Sequence, residues 1–183
     1  GTVATMAALT VVGGLLFFWR AFTATEPIVR LGPFANSNFA GGAVLGAVFG
    51  IGLYGLVYLY PLYLSRVALL SSSQVGTTLL VTGISMMVSA PLAGWVVRRF
   101  DPRAVLSGGF LLFAVSTWMT SQITVDWRAS ELFLPQVLRG MGIMCCIVSI
   151  STTAFATLPD DQLKDGPGLF TLCRNLGGAL GLA

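Results

Sequence analysis

The chain has 183 residues, of which 55% are hydrophobic and 9% are charged, and its formal net charge is +3. Soluble globular domains carry roughly one quarter charged residues, so this composition excludes a water-soluble fold and predicts an integral membrane protein. The sequence contains no histidine, which excludes imidazole as a zinc ligand and as the base of a serine or cysteine nucleophile. So small a positive charge needs no nucleic-acid partner to explain it.

Six apolar segments follow one another along the chain, and nearly all charged residues lie in the short connections between them. The segments show no period-two alternation, which excludes a transmembrane barrel and predicts an all-α bundle. The predicted transmembrane helices are 2–19, 39–64, 75–97, 104–125, 132–158 and 168–183.

Both ends of the sequence predict a fragment of a longer protein. Residue 1 is Gly rather than Met, and the first segment lacks the cationic start of a signal peptide, so we expect it to span the membrane. The last segment has 16 residues, and at about 1.5 Å per residue it crosses only about 24 Å of a hydrocarbon core about 30 Å thick.

The arginines and lysines of the five connections predict the orientation of the bundle. The second and fourth connections hold only Arg66 and Arg128, whereas the first, third and fifth hold six such residues. Because positive charge is retained on the cytoplasmic side, we place the odd-numbered connections inside and the start of the chain outside. The six residues are Arg20, Arg30, Arg98, Arg99, Arg103 and Lys164.

All four tyrosines of the chain lie in the second helix. Tyr54 and Tyr58 share a helical face, and because a buried phenol needs a hydrogen-bond partner, we expect both to face the bundle interior or a wet cavity. There they would form an aromatic wall for an apolar or cationic ligand; the alternative is that they bond to the backbone of a neighbouring helix. Tyr60 and Tyr63, near the outer end, are predicted to lie at the headgroup region.

Glycine supplies 22 residues, many of them at small-xxx-small spacing inside the predicted helices. This spacing predicts close helix contact, because in lipid small residues let two backbones approach each other. Static packing and sliding of one helix along another are both open interpretations. Examples are Gly42, Gly46, Gly50, Gly177 and Gly181.

The cysteines lie inside apolar runs and form no C-x-x-C pair. This pattern does not favour a disulfide framework or a metal cluster. We therefore expect Cys145, Cys146 and Cys173 to act as small packing residues.

Two arginines are the only charged residues inside the predicted helices. Arg139, in the fifth helix, is predicted either to snorkel to the outer surface or to be an interior charge that binds an anionic group or a carboxylate. Arg174, in the sixth helix, has the same alternatives, and Asn175 beside it is able to bond across helices. No Asp or Glu lies deep in a predicted helix, so proton coupling would need a proton carrier elsewhere in the protein.

Several motifs stand out along the second half of the chain. They are Pro135-Gln136-x-x-Arg139-Gly140-x-Gly142, Leu158-Pro159, Leu163-Lys164, Gly168-Leu169-Phe170 and Arg174-Asn175-Leu176-Gly177-Gly178-x-x-Gly181. Together they resemble the C-terminal half of EmrB/QacA-like multidrug efflux transporters, the fourteen-helix drug–proton antiporter branch of the major facilitator superfamily. The linker from Glu26-Pro27-Ile28-Val29 to Asn36-x-Asn38-Phe39 is similar as well, so the resemblance covers essentially the whole chain.

The resemblance implies a major facilitator superfamily helical bundle that is partial, with about six transmembrane helices. Residues 1–38 would be an extra central transmembrane helix with a cytoplasmic linker, and 39–183 an incomplete C-terminal six-helix repeat. It also implies that Arg174, Gly177, Gly178 and Gly181 belong to a glycine-rich helix at the repeat interface, which the family associates with antiport. The candidate substrate-cavity residues are Tyr54, Tyr58, Gln136, Arg139 and Asn175.

The turn between the third and fourth helices is similar to the superfamily's cytoplasmic loop motif, G-x-x-x-D-R-x-G-R-R. The match is at Gly94, Arg99 and Arg103, whereas Arg98 replaces the aspartate and Asp101 replaces the glycine. A gating latch and a plain positive-inside anchor are the two interpretations of this turn.

The predicted function is proton-coupled export of amphipathic drugs or toxic compounds across the inner (cytoplasmic) membrane by alternating access. No enzyme activity, metal or cofactor is expected beyond the proton gradient, and no Walker A sequence is present. In a bacterium with two membranes, the resemblance implies a periplasmic adaptor protein and an outer-membrane channel as partners. The alternatives are a nutrient, metabolite or siderophore transporter of the same superfamily, a membrane-embedded enzyme, or a structural membrane subunit.

Overall fold

The computed structural model describes residues 2–23, 31–123, 129–160 and 162–183, and these residues form helices and connections without a strand. The predicted all-α architecture is therefore confirmed. Four of the helices, α2 to α5, are long and apolar enough to cross a membrane. In chain order the helices are α1 (Thr2–Thr23), a short 3-10 helix (Gly32–Ala35), α2 (Ser37–Arg66), α3 (Ser72–Arg99), α4 (Pro102–Ser121), α5 (Ala129–Phe155) and α6 (Gly166–Leu182).

Polar capping residues determine where these helices begin. Ser71 and Gln74 form a capping box that starts α3, and the Asp101 carboxylate accepts a hydrogen bond from the backbone N–H of Arg103 to start α4. The fourth helix consequently begins before the predicted residue 104 and ends at Ser121 rather than 125. The fifth ends at Phe155, short of the predicted residue 158.

Helix α5 is the centre of the bundle, since it packs against α2, α3 and α4, while α6 packs against α2. Glycines bring the backbones together at these contacts: a β-carbon on Gly142 would lie 2.8 Å from the backbone nitrogen of Phe113 in α4. On the opposite side of α5, a β-carbon on Gly140 would lie 2.8 Å from the carbonyl oxygen of Thr82 in α3. The two glycines of the Arg139-Gly140-x-Gly142 motif therefore fix α5 between its neighbours.

The main core lies between α2, α5 and α6, with phenylalanines from each of these helices in contact. Phe155 of α5 contacts both Phe39 of α2 and Phe170 of α6. Cys146 is fully buried in the same core, and all three cysteines are free thiols, in agreement with the predicted packing role.

Two asparagines join the start of α2 to the end of α5. The Asn36 side chain caps α2 and donates to the carbonyl oxygen of Thr157 at 2.9 Å. The Thr157 hydroxyl accepts from Asn38 at 3.2 Å and donates to Asn36 at 3.1 Å. The Asn36-x-Asn38 pair thus has a structural role that its sequence did not disclose.

The described apolar side chains of α1 are mostly exposed, among them Met6, Leu9, Leu15 and Trp19. The linker residues 24–30, with Glu26 to Arg30, and the connection 124–128, with Trp127 and Arg128, lie outside the described residues. The assignment of residues 1–38 to an extra helix and linker stays a prediction, as does the membrane orientation.

Candidate functional site

A group of buried polar side chains lies between α2, α3 and α5, and we refer to it as the polar cluster. Its members are Tyr60 of α2, Thr82 of α3, and Gln136 and Arg139 of α5. Gln136 is fully buried, and Arg139 is only 3% exposed. Because an unpaired charge is costly in the membrane interior, such a buried arginine marks a candidate functional site.

The contacts of the cluster fix the directions of its side chains. The Arg139 guanidinium lies over the Tyr60 ring, with Cζ 4.9 Å from the ring centroid. The Thr82 hydroxyl donates to the Gln136 Oε1 atom, which leaves the amide nitrogen of Gln136 pointing away from Thr82. Ser85, one turn along α3, donates to the carbonyl oxygen of Val137 at 2.8 Å.

Three donor groups of the cluster have no hydrogen-bond partner among the described residues. They are the Tyr60 hydroxyl, the Gln136 Nε2 group and the Arg139 Nη1 group, of which the first two face each other and have no other partner. Buried donors are normally satisfied, so this concentration is unusual.

The position of Arg139 decides between the two predictions made for it. It is the eleventh residue of α5, about 15 Å along the axis from the start of that helix. The side chain turns into the bundle and does not reach the surface, so the snorkelling alternative is wrong and the interior charge is confirmed.

Tyr60 is the residue that sequence analysis missed. It was predicted to lie at the headgroup region, but it is 3% exposed and belongs to the polar cluster. The available signal was a spacing of seven along α2, since Phe39, Gly46 and Tyr60 all lie on the buried face. Tyr63, also predicted at the headgroup region, donates to the Ile123 carbonyl oxygen at 3.1 Å.

A second candidate region is the contact between α2 and α6, which we call the glycine seam and define by Gly50, Gly177, Gly178 and Gly181. A β-carbon on Gly50 would overlap the Arg174 carbonyl oxygen, one on Gly177 would overlap Ala47, and one on Gly181 would overlap Ile51. The predicted close approach of these helices is therefore confirmed.

Tyr54 crosses the glycine seam. Its hydroxyl donates to the Oδ1 atom of Asn175 at 2.9 Å, and its ring occupies the space that a side chain on Gly178 would fill. The predicted cross-helix bond of Asn175 is confirmed, and Tyr54 is bonded to a neighbouring side chain rather than to backbone.

We expect Tyr54→Phe to lower the stability of the protein by about 0.5 to 1.5 kcal/mol, because it removes this hydrogen bond and keeps the ring. The free energy of unfolding of the purified protein in detergent measures the loss. Tyr58→Phe is the matched control, because no hydrogen bond of Tyr58 is among those of the described residues. Equal losses in the two variants would contradict the assigned bond.

Tyr58 does not face the interior of the described bundle, which leaves the wet cavity of the two predicted surroundings. It is 57% exposed and borders an open groove with Pro61, Ser65 and Val75. One helical face holds both tyrosines, but α6 covers only the Tyr54 end of it. Its role in a substrate cavity stays a prediction.

The remaining predicted site residues lie at two places. Arg174 is half-buried beside the glycine seam, with its Nε group lacking a partner among the described residues. In the cytoplasmic loop motif, the Arg99 guanidinium lies 5.6 Å from the Trp95 ring centroid, and Asp101 caps α4 through the backbone of Arg103. Gly94 has open space around it, and Arg98 is exposed.

An apolar groove runs along the outer side of the α3–α5 contact, next to the polar cluster. Its volume is about 260 Å³. Ser85 and Val137, which are bonded to each other, line it and separate it from Gln136. The apolar lining residues are Val81, Ile84, Val88, Leu92, Phe133, Val137 and Met141.

No group of three or more metal-ligating side chains occurs within the described part of the chain. The site therefore consists of hydrogen-bond donors, one permanent charge, aromatic rings and an apolar groove. Such an arrangement is typical of a ligand-binding site.

Comparisons with known proteins identify relatives of this chain. The model of the Major Facilitator Superfamily matches residues 1–182. The chain is 40% identical over 173 residues to the colistin resistance protein EmrB of Acinetobacter baumannii, covering 94% of this chain and 34% of that protein.

Two further relatives have names that also describe resistance or export. The tetracenomycin C resistance and export protein of Streptomyces glaucescens is 30% identical, over 91% of this chain and 31% of its own length. The probable multidrug resistance protein EmrY of Escherichia coli is 27% identical, over 97% of this chain and 35% of its own length. The chain thus spans about a third of the length of these relatives.

Proposed function

The chain belongs to the Major Facilitator Superfamily, and from this premise we propose that the protein exports amphipathic drugs across the cytoplasmic membrane by alternating access, driven by proton influx. The membrane location and the transporter family follow from the helices and the family match. We propose the substrate class, the proton coupling and the alternating-access cycle in addition.

The observation that carries the proposal is the apolar groove beside the polar cluster. An amphipathic compound has an apolar body and a polar group, and here an apolar groove of about 260 Å³ is lined by Val137, whose chain neighbour Gln136 carries a buried hydrogen-bond donor. Ligand sites in general combine apolar walls with a few placed polar groups. The names of two relatives, a colistin resistance protein and a tetracenomycin C resistance and export protein, support the same substrate class.

The glycine seam is the interface that we propose to move during transport. Where two backbones are in direct contact, few side chains lie between the helices. One helix is therefore able to rock against the other with little repacking of side chains. Moving one proton through 100 mV supplies about 2.3 kcal/mol, which is sufficient to bias such a motion.

We propose that the proton-carrying group lies outside the residues described. The described acidic residues lie at helix ends or in connections, where they face the membrane surfaces: Asp101, Glu131, Asp160 and Asp165. A carrier that alternates between the two sides would instead lie near the middle of the membrane.

The proposed partners outside the membrane are a periplasmic adaptor and an outer-membrane channel, where the source cell has two membranes. Similarity to proteins of the EmrB type supports this assignment. Crosslinking in intact cells followed by mass spectrometry of the purified protein would identify an adaptor or show that none is bound.

Dye accumulation in bacterial cells tests the proposed function. Cells that make the native protein should retain several times less of an amphipathic dye that carries hydrogen-bond acceptors than cells without it, and a protonophore should abolish the difference. Retention that does not differ, or a difference that survives the protonophore, would refute drug export or proton coupling, respectively. Competition by nutrients or siderophores rather than drugs would favour the other substrate class.

A further inference from the structure

The hydrogen-bond donors of the polar cluster have no acceptor outside the cluster among the described residues. The Arg139 Nη1 group has no hydrogen-bond partner among the described residues, and the Tyr60 hydroxyl and the Gln136 Nε2 group have none beyond each other. The Thr82 hydroxyl occupies Gln136 Oε1, so the free end of that amide is its N–H₂ group. The unsatisfied groups on Gln136 and Arg139 are thus both donors, and the Tyr60 hydroxyl is able to donate as well.

Water alone does not satisfy this arrangement. A buried water would accept hydrogen bonds, but the guanidinium keeps its full positive charge at every pH that the protein meets. An uncompensated buried charge costs several kcal/mol, whereas a paired and hydrogen-bonded one is tolerated. The cluster therefore calls for an acceptor that is also negatively charged.

The described residues supply no such group near Arg139. Among the described residues, Tyr60 of α2 is the ionisable side chain that interacts with Arg139, and its phenol is neutral near pH 7. Glu131 precedes Arg139 by eight residues on the same helix, a distance of about 12 Å along the axis.

We infer that the polar cluster binds a carboxylate. A carboxylate is planar, carries a single charge and offers two oxygens, which matches one guanidinium fork together with the amide and phenol donors. A phosphate dianion would leave one negative charge uncompensated beside a single arginine. The carboxylate comes either from a small solute or from another segment of the protein.

A cavity lies beside Tyr60 and is the opening nearest to the polar cluster on the α2–α4 side. Its volume is about 230 Å³, and it opens between α2 and α4, where Leu56, Tyr63 and Thr120 also line it. A cavity of about 150 Å³ is known to accept benzene, so this one has room for benzoate. Tyr60 lines the cavity and its ring contacts Arg139, whereas Gln136 and Arg139 themselves do not line it.

The inference rests on the proposed function, because a transporter has a reason to keep such a site. It adds to that function the class of group that the polar cluster recognises. Binding is measured below without transport, so its failure and a failure of drug export are distinguishable.

The experiment measures the melting temperature of the purified native protein in detergent with increasing benzoate, and with benzamide as the uncharged isostere. A ligand that binds only the folded state raises the melting temperature with concentration. We expect benzoate to stabilise the native protein and the control Arg66→Gln, whose arginine is exposed, and benzamide to have no effect. In Arg139→Gln, the apparent affinity for benzoate should fall by about tenfold or more.

A second arm detects a carboxylate supplied by the protein itself. Such a group, held by Arg139, has a folded pKa below its unfolded value, so its stabilisation exists above about pH 4 and is lost as the pH falls through the folded pKa. The native melting temperature would then fall more steeply between pH 7 and pH 3 than that of Arg139→Gln. Tyr60 does not ionise in this range.

Each outcome supports or overturns the inference. Benzoate stabilisation that depends on Arg139 assigns a solute carboxylate, and a pH slope that depends on Arg139 assigns a carboxylate of the protein. No benzoate effect together with identical pH profiles overturns the inference. If Arg139→Gln does not fold, Tyr60→Phe replaces it, because it keeps the ring under the guanidinium and removes only one donor; an unchanged benzoate response and pH profile would then overturn it.

Discussion

Gly177→Ala is expected to destabilise the protein by about 1 to 3 kcal/mol and to abolish efflux. The added methyl group would overlap the backbone of Ala47 in α2, so the two helices must separate along the glycine seam. Both partners at this point are backbone, which is unable to move aside as a flexible side chain would. The free energy of unfolding in detergent and dye retention in cells measure the two effects.

Gly83→Ala is the matched control for this substitution. Gly83 lies inside α3 with no atom within 4 Å of the added β-carbon, and alanine is favoured over glycine in a helix by about 0.5 to 1 kcal/mol. We therefore expect unchanged or slightly higher stability and native efflux. If Gly177→Ala were as stable and as active as Gly83→Ala, the seam would be neither tight nor needed for movement.

Arg139→Ala is expected to lower dye efflux by about tenfold to a hundredfold without lowering the amount of protein in the membrane. A hydrogen bond to a charged group contributes about 1.5 to 3 kcal/mol, and each 1.4 kcal/mol is a factor of ten. Abundance should be preserved because the substitution removes a buried charge whose one described charge-stabilising contact is the Tyr60 ring.

Two companion variants separate charge from fold. Arg66→Ala removes an exposed arginine at the end of α2 and should retain native efflux. Arg139→Lys keeps the charge but loses the planar fork, so an intermediate rate is expected. Native efflux in Arg139→Ala would remove the polar cluster from the transport mechanism.

Several predictions from the sequence hold in the structure because they depend on local chemistry. The length of the apolar segments requires helices, since only a helix satisfies its own backbone groups in lipid. Ser71 and Asp101 start helices wherever the rest of the chain lies, because they bond within their own first turn. The segments themselves were therefore found, and their ends were in error by a few residues.

The directions of side chains were predicted less well. Tyr58 was expected to face the bundle interior or a wet cavity and is exposed, whereas Tyr60 was placed at the headgroup region and is buried. For Arg139 the sequence left two directions open. In a soluble protein the apolar stripe of a helix shows which face is buried, but in lipid both faces are apolar, so this signal is lost.

The sequence by itself determined that the chain is an all-helical membrane protein with a glycine-rich pair of helices and a rare arginine inside an apolar segment. Only the tertiary structure decided how each helix is rotated about its axis, and so which polar groups meet Arg139. That rotation is set by backbone contacts at Gly140, Gly142 and Gly177, each of which meets a residue far away in the sequence. Hydropathy carries no information about it, because membrane helices are brought together by packing and hydrogen bonds rather than by the exclusion of water.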